Sequence, residues 1–404
     1  MRRSNPKSIE LFAGAGGLAL GVARGGFRHV AVLEWDKDAC ETICRNKANC
    51  VKHVGQWNVV EGDVRDYDFG QHEGQIDLVC GGPPCQPFSI GGNHMGHVDE
   101  RNMFPQAVRA VREIRPRAFI LENVKGLLRQ SFANYYTYII HQLRFPEIVA
   151  TGDEEWPSHL ARLEEAHTRG THSGLRYNVV FQLLNAADYG VPQKRERVFI
   201  VGIRSDLGAE FSYPQATHTK EALLFHKWVT GEYWEQHKIP KSKRPDPPKR
   251  LRAALDRLNC LWPQTVGERW RTVRDAVSDL PRLAVGQTSP KIANHFLNPG
   301  ARSYAGHTGS GWDEPAKTLK AGDHGVPGGE NTLRFDDGTV RYFSVRECAR
   351  LQTFPDEWCF EGSWTESMRQ LGNAVPVKLA EVVARRLTRT LSKAELVSMT
   401  PTKA

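Results

Sequence analysis

Between Ser8 and Arg204 short apolar runs alternate with amphipathic stretches, and few folds accommodate that alternation. It fits strands buried on both faces and covered by helices, the pattern of a mainly parallel sheet in an α/β, Rossmann-like domain. Runs at Ser8–Leu11, His29–Glu34, Ile76–Cys80, Ala118–Glu122, Tyr177–Leu184 and Arg197–Ile203 read as strands. Apolar spacing predicts helices over Gly17–Gly25, Asp36–Asn46 and Asn102–Ile114, the last stopping short of Pro116, whose ring disfavours helical geometry in the residue before it. Phe145–Ser173, rich in Glu, His and Arg, interrupts the pattern as an insertion. After Ser205 the alternation stops, and Pro, Gly, Trp and basic residues dominate as far as Asp337. Helical spacing returns in FSVRECARLQTF, and Pro376–Leu391 reads as a terminal amphipathic helix. The expected units are therefore 1–205, an irregular 206–337, and 338–404, a segment packing back on the first.

Composition narrows the class. No stretch of 18 apolar residues occurs, and the start MRRSNPKSIELF turns into a strand before a signal-peptide core forms, so no membrane association is expected and the cytoplasm is the expected setting. The eight cysteines include no CxxC pair, which argues against a disulfide framework. A net charge of +8 suits a polyanionic partner. Between Lys238 and Arg252 seven basic residues face one acid in a proline-laced stretch, fitting either an exposed loop on phosphate or a solvated linker.

The run IELFAGAGGLALG carries a strand into a glycine turn that opens a helix. Such a turn lets backbone N–H groups approach a ligand, and Gly14, Gly16 and Ala19 satisfy the GxGxxA spacing of dinucleotide sites. Glu34 lies 20 residues beyond Gly14, at the end of the next strand, where an acid accepts from ribose hydroxyls. Trp35 offers a face to a purine, and Asp63 in EGDVR an acceptor to an adenine amino group. Packing and turn formation are the ordinary uses of both residue types. By itself the run fits either a nucleoside site or a plain strand-to-helix turn.

The run VCGGPPCQPFSIGG leaves a buried strand for a loop rich in Gly and Pro. Ligands and catalytic groups gather at the carboxyl edge of parallel sheets, and Cys85, beside two prolines, is held toward that crevice as a candidate nucleophile.

In order along the chain, FAGAGG, GGPPCQPFS, ENVKG, QKRERVFIVG, RECARLQTFPD and GNAVP resemble the motif set of the DNA cytosine-5 methyltransferases, over Ile9 to Pro376. The resemblance implies a Rossmann-like, S-adenosylmethionine-dependent domain plus a smaller target-recognition domain at 206–337, acting on double-stranded DNA without a metal. It implies that Cys85 adds to C6 of cytosine, that Glu122 assists at N3, and that Arg195 and Arg197, alternating on one strand face, contact the base, its phosphate and the Glu. Glu122 would hold a proton through partial desolvation. Cofactor contacts are implied for Phe12, Gly14, Gly16, Gly17, Glu34, Trp35, Asp63, Val64, Pro84 and Asn373, and DNA contacts for Gln86, Ser89 and Gln193. Met103 stands where an aliphatic residue packs near the cofactor. The target base must leave the stack, with Gly91–Arg101 as the expected lid. A bacterial, monomeric enzyme is implied, one that protects host DNA from a cognate restriction endonuclease. The Cys-Phe-Thr element of the tRNA-modifying branch is absent, and a nicotinamide-linked oxidoreductase would leave the Pro-Cys loop unexplained.

Overall fold

A computed structural model of the chain describes residues 5–84, 102–170, 172–261, 267–303, 308–321 and 331–399. These form two compact units: one of Met1–Leu184, Glu196–Pro214 and Ala380–Ala404, the other of Asn185–Arg195 and Gln215–Leu379.

The first unit is built on a seven-stranded sheet in the order β3-β2-β1-β4-β5-β7-β6. Its strands are β1 (Lys7–Leu11), β2 (Arg28–Glu34), β3 (Val59–Glu61), β4 (Leu78–Gly81), β5 (Ala118–Val124), β6 (Tyr177–Asn185) and β7 (Glu196–Arg204). Helices α1 (Gly17–Arg24), α2 (Lys37–Ala48), α3 (Phe104–Ile114), α4 (Ala133–Arg144) and α5 (Trp156–Arg169) follow in chain order. The run β3-β2-β1-β4-β5 is parallel. Its order reverses between β1 and β4, and at such a switch point the loops leaving the two strands part and open a crevice. The glycine turn leaves β1 there, and the Gly-Gly-Pro-Pro segment leaves β4.

Strand β7 runs antiparallel to β5 in this mainly parallel sheet. Strand β3 was not among the expected strands, and the Phe145–Ser173 insertion contains helix α5, which the mixed charge of that stretch conceals. Helix α3 buries Phe104, Ala107, Val108, Val111 and Ile114 along one stripe. This stripe joins Ile9, Leu11, Val79, Phe119 and Leu121 of the sheet in one core.

In the second unit helices α6 (Lys220–Trp228), α7 (Glu232–Gln236) and α8 (Arg252–Leu261) precede α9 (Val273–Val277), α10 (Val345–Leu351) and α11 (Trp364–Asn373). Thr272 and Asp275 close a capping box on α9, and Ser344 and Glu347 close another on α10. Lys227 is buried beside Trp228, its ammonium 4.3 Å from the ring centroid and 3.1 Å from a Glu314 oxygen.

Two expected boundaries move. Helices α10 and α11 group with the second unit, and the portion of the segment 338–404 from Ala380 onward groups with the first. Asn185–Arg195 also joins the second unit, tied by a bridge from Gln193 to Ala316 and by the Lys194 N–H donating to the Ala316 carbonyl at 2.8 Å. The terminal helix α12 (Val377–Met399) returns to the first unit beside Gly25. Thr388 there donates to the Gly25 carbonyl at 2.8 Å. A Cβ on Gly25 would stand 2.5 Å from the Ala384 Cβ and 3.0 Å from α12 backbone. Gly25→Ala is accordingly expected to cost about 1–3 kcal/mol in urea unfolding, the range for overpacking. Gly55→Ala, with nothing within 4 Å of its new methyl, serves as the neutral control.

Candidate active site

The first wall of the site is the turn after β1. Phe12, Gly14 and Gly16 all take positive φ, at 55°, 51° and 83°, so the backbone doubles back sharply before α1 starts at Gly17. Glycine accepts this geometry without strain, and nothing lies within 4 Å of where a Gly14 Cβ would be, which leaves open space above the turn. Glu34, at the end of β2, holds the turn in place. Its buried carboxylate accepts from the N–H groups of Gly14 at 2.6 Å and of Trp35 and Asp36 at 2.9 Å each. Burial still pushes its pKa up, with the three N–H groups opposing. The acid expected to meet a ribose is thus first a tie for the turn. Oε2, with one donor, retains a free lone pair toward a further hydroxyl. Next to it Trp35 is 73% exposed, an uncovered indole face beside the turn.

Asp63 caps the short helical turn Val64–Asp66, and Arg65 engages both of its oxygens, at 2.8 Å from the backbone and 2.9 and 2.5 Å from the guanidinium. The Arg65 side chain is the main reason its carboxyl lies below the ordinary range. Val64 is buried, and its carbonyl accepts from Arg109 of α3 at 2.7 Å. Arg109 was not singled out from the sequence; a basic residue on an amphipathic helix gives no signal that distinguishes it. Met103, partly buried, packs against the core at the start of α3.

The second wall is the segment after β4. Gly81 packs so closely on β1 that a Cβ would stand 2.5 Å from the Leu11 carbonyl oxygen. Asn123, in the Glu-Asn-Val run, donates to the Pro83 carbonyl at 2.9 Å, and Met103 N–H donates to that of Pro84 at 3.1 Å. The chain is thus pinned on both sides just where Cys85 follows. Cys85, Gln86 and Ser89, with the expected lid Gly91–Arg101, lie outside the described residues.

The third wall joins β5 to β7. Register sets Val124 opposite Arg197 and Glu122 opposite Phe199. The Arg197 Nε lies 2.8 Å from Glu122 Oε1, with both side chains buried. Burial pulls the guanidinium down from its ordinary value and the carboxylate beside it pushes back up. The other oxygen of Glu122 sits over Gly82, 3.1 Å from where a Cβ would be. One exposed ion pair, Lys125 with Glu196 at 2.9 Å, flanks the buried one.

Arg195 is the last residue of the stretch that joins the second unit. It precedes β7, is fully buried in the second unit, and donates to the carbonyls of Leu319 at 2.9 Å and Gly372 at 2.6 Å. The alternation read from the sequence holds only within a strand, and β7 begins at Glu196. Gln193 is fully buried in the same unit. Asn373 is the exposed last residue of α11. Its neighbour Gly372 packs so tightly that a Cβ would clash with the Lys320–Ala321 backbone at 2.1 Å.

With this geometry in hand, comparisons with known proteins are specific. The family model for C-5 cytosine-specific DNA methylases matches residues 6–146 and 171–389. A type II methyltransferase of Psychrobacter, M.PspPI, is 33% identical over 96% of this chain and 80% of its own length. M.NgoMIV of Neisseria gonorrhoeae is 33% identical over 96% and 98%. Among solved structures, a DNA modification methyltransferase encoded within an Escherichia coli prophage superposes with a TM-score of 0.53, at 22% identity over 96% of this chain and 99% of that one. The Dnmt2 methyltransferase of S. pombe gives 0.52, at 16% identity over 96% and 99%.

If Arg195 is a fastening within the second unit, Arg195→Ala strands two buried carbonyls and lowers stability by about 3 kcal/mol, read as an earlier thermal transition and faster proteolysis within 185–195 and 215–379. An arginine whose only task is to touch DNA would leave both unchanged.

Proposed function

Because the chain belongs to the C-5 cytosine-specific DNA methylase family, and is thereby a DNA cytosine-5 methyltransferase, we propose that it acts by covalent addition of Cys85 to C6 of a cytosine turned out of the duplex. The observation that carries this reading is the buried Glu122–Arg197 pair at the carboxyl edge of the sheet, one residue from the Asn123 amide that holds the Cys85-bearing segment.

Carbon C5 of cytosine is a poor nucleophile until C6 acquires a substituent, and attack by a thiolate divides one hard step into easier ones. Glu122 presents a proton to N3 as the sulfur bonds to C6, so the ring becomes a neutral enamine rather than an anion. Arg197 fixes the rotamer of that carboxyl and balances its charge when the proton has gone. Cys85 then leaves C6 as the C5 proton is lost to solvent. C6 is buried within stacked duplex DNA, so the base is rotated out, at an unstacking cost of a few kcal/mol.

The first two walls fit an adenosyl group. The glycine turn is open above Gly14, Trp35 offers an uncovered face to adenine, and Glu34 keeps a lone pair for a ribose hydroxyl. Phe12, Gly16, Gly17, Val64 and Pro84 border the same strand ends, and Asp63, committed to Arg65, shapes the turn beside them. When bound, S-adenosylmethionine supplies the methyl group, carried as a sulfonium electrophile. We keep Asn373, on the Gly-Asn-Ala-Val-Pro motif, as a proposed cofactor contact. We assign reading of the DNA sequence to the second unit, and contacts to the flipped base and its phosphate to Gln86 and Ser89.

The type II relatives support a role in which the methyl mark shields host DNA from a cognate endonuclease. We further propose that the enzyme acts as a cytoplasmic monomer without a metal. Among the described residues no helix is long and apolar enough to cross a membrane.

Duplex DNA carrying 5-fluorocytosine cannot lose the C5 substituent and should trap the protein as a complex stable to denaturant. Cys85→Ala is expected to abolish trapping while S-adenosylmethionine still raises the melting temperature and NAD does not. Trapping that survives the substitution would assign the nucleophile to another residue.

A further inference from the structure

The stretch Lys238–Arg252 fits either a phosphate-binding loop or a solvated linker by its sequence, and the chemistry above uses neither. Its seven basic residues and one acid give a net +6 in 15 residues, while the whole chain sums to +8. The structure shows a strap tied down along its length. At its start Ile239 packs against the cluster of Leu223, Tyr233 and Trp234 on α6 and α7. In its middle Arg244 is spent on the strap itself: Nε donates to the Ile239 carbonyl at 3.0 Å, and Nη1 lies 3.9 Å from a Glu235 oxygen. The Trp228 indole N–H donates to the Pro245 carbonyl at 3.3 Å. At its far end the chain runs straight into α8, which packs against α6 and buries Leu255. A linker that only spans two elements needs none of these ties.

Within the strap Pro240 and Pro248 each open a short helical turn, Lys241–Lys243 and Lys249–Leu251. The turns close through the Lys243 N–H, which donates to the Pro240 carbonyl at 2.9 Å, and the Leu251 N–H, which donates to that of Pro248 at 2.8 Å. Lys241, Lys243, Lys249 and Arg250 stand exposed on these turns. Among the described residues no carboxylate pairs with any of the four, and Asp246, between the turns, is itself exposed. Exposed basic residues of the first unit do find partners: Lys125 in Glu196, Arg162 in Glu154 and Arg169 in Glu165. Like charges fixed on one strap repel, and a row of anions cancels that repulsion. Duplex DNA presents such a row whatever its sequence, about one negative charge per 1.7 Å of axis. Because the backbone is already fixed, docking on it orders only the ends of side chains.

We propose that Lys238–Arg252 is a clamp on the phosphate backbone of duplex DNA outside the bases that are read, gripping the flanking duplex with its two turns regardless of sequence. This deepens the assignment of DNA reading to the second unit and rests on it. Phosphate contacts carry no sequence information, so the clamp sets affinity and its salt dependence and leaves the choice of cytosine to other residues. Lysine suits the task, because a point charge on a flexible stem follows a backbone without demanding one register.

The test compares wild type with the full chain carrying Lys241→Gln, Lys243→Gln, Lys249→Gln and Arg250→Gln together. A control of equal net charge carries Lys47→Gln, Lys52→Gln, Arg169→Gln and Lys393→Gln, all exposed residues of the first unit. Each protein is titrated over a range of salt concentrations with duplexes of A·T pairs only, which hold no cytosine and report sequence-independent binding alone. Each cation on a phosphate contributes about 0.9 to the slope of log affinity against log salt, so the strap variant is expected to lose at least about 2 from that slope. It should bind more weakly at low salt and converge with wild type at high salt, while the control keeps the wild-type slope. Lys249→Gln with Arg250→Gln alone should give about half of the change, which decides the matter if the fourfold variant does not fold. Both fourfold variants should mark plasmid DNA in the same sequence context as wild type. An unmoved slope in the strap variant, an equal fall in the control or a changed sequence context overturns the clamp. So does a loss of single-stranded RNA binding with duplex binding intact. Wild-type protein that leaves plasmid DNA unmethylated would instead overturn the proposed function, so the two failures are distinguishable.

Discussion

The buried ion pair between Arg197 and Glu122 depends on the direction of one strand. Strands β1 to β5 end at the same edge, and only an antiparallel neighbour brings its beginning to that edge. Because β7 runs that way, an arginine near its start meets a glutamate near the end of β5, 2.8 Å apart. A parallel β7 would place Arg197 at the far end of the sheet. Burying either charge alone costs several kcal/mol, so the pair holds only while the β5–β7 ladder does. The same ladder carries Asn123, whose amide pins the segment leading to Cys85. Strand direction, ion pair and loop anchor form one device.

Around it the interior is unusually polar for a sheet core. Glu34 is spent on holding the glycine turn, Asp63 on Arg65, and Glu10 on the Cys80 thiol. Glu34 and Asp63 are satisfied locally, whereas Glu10 keeps one buried oxygen without a partner among the described residues. The acids at the ends of β2 and β3 accordingly shape the site before they meet any ligand.

Much of this was legible in the sequence. Strand positions in the first unit came out within a few residues, because fully buried strands read as plain apolar runs between glycine turns. Glu122 and Arg197 were legible through the motifs that contain them. Other features were not. Direction of β7 leaves no trace in periodicity, since a buried strand looks alike either way. The start of β7 after Arg195 was not legible, because alternation says nothing about where a strand begins. Helical spacing in the α10–α11 segment shows that a face is buried and not against what. Glu10 was passed over inside a motif read for its glycines, although an acid in an apolar strand is itself a signal of a special environment.

Mapping 5-methylcytosine in the DNA of a methylation-free host that expresses this chain tests the central claim most directly. The account predicts a mark at C5 of cytosine within one defined sequence context, and none when Cys85→Ala or Glu122→Gln is expressed at equal soluble level. Absence of the mark in every context from soluble wild-type protein, or its persistence in either variant, would contradict it.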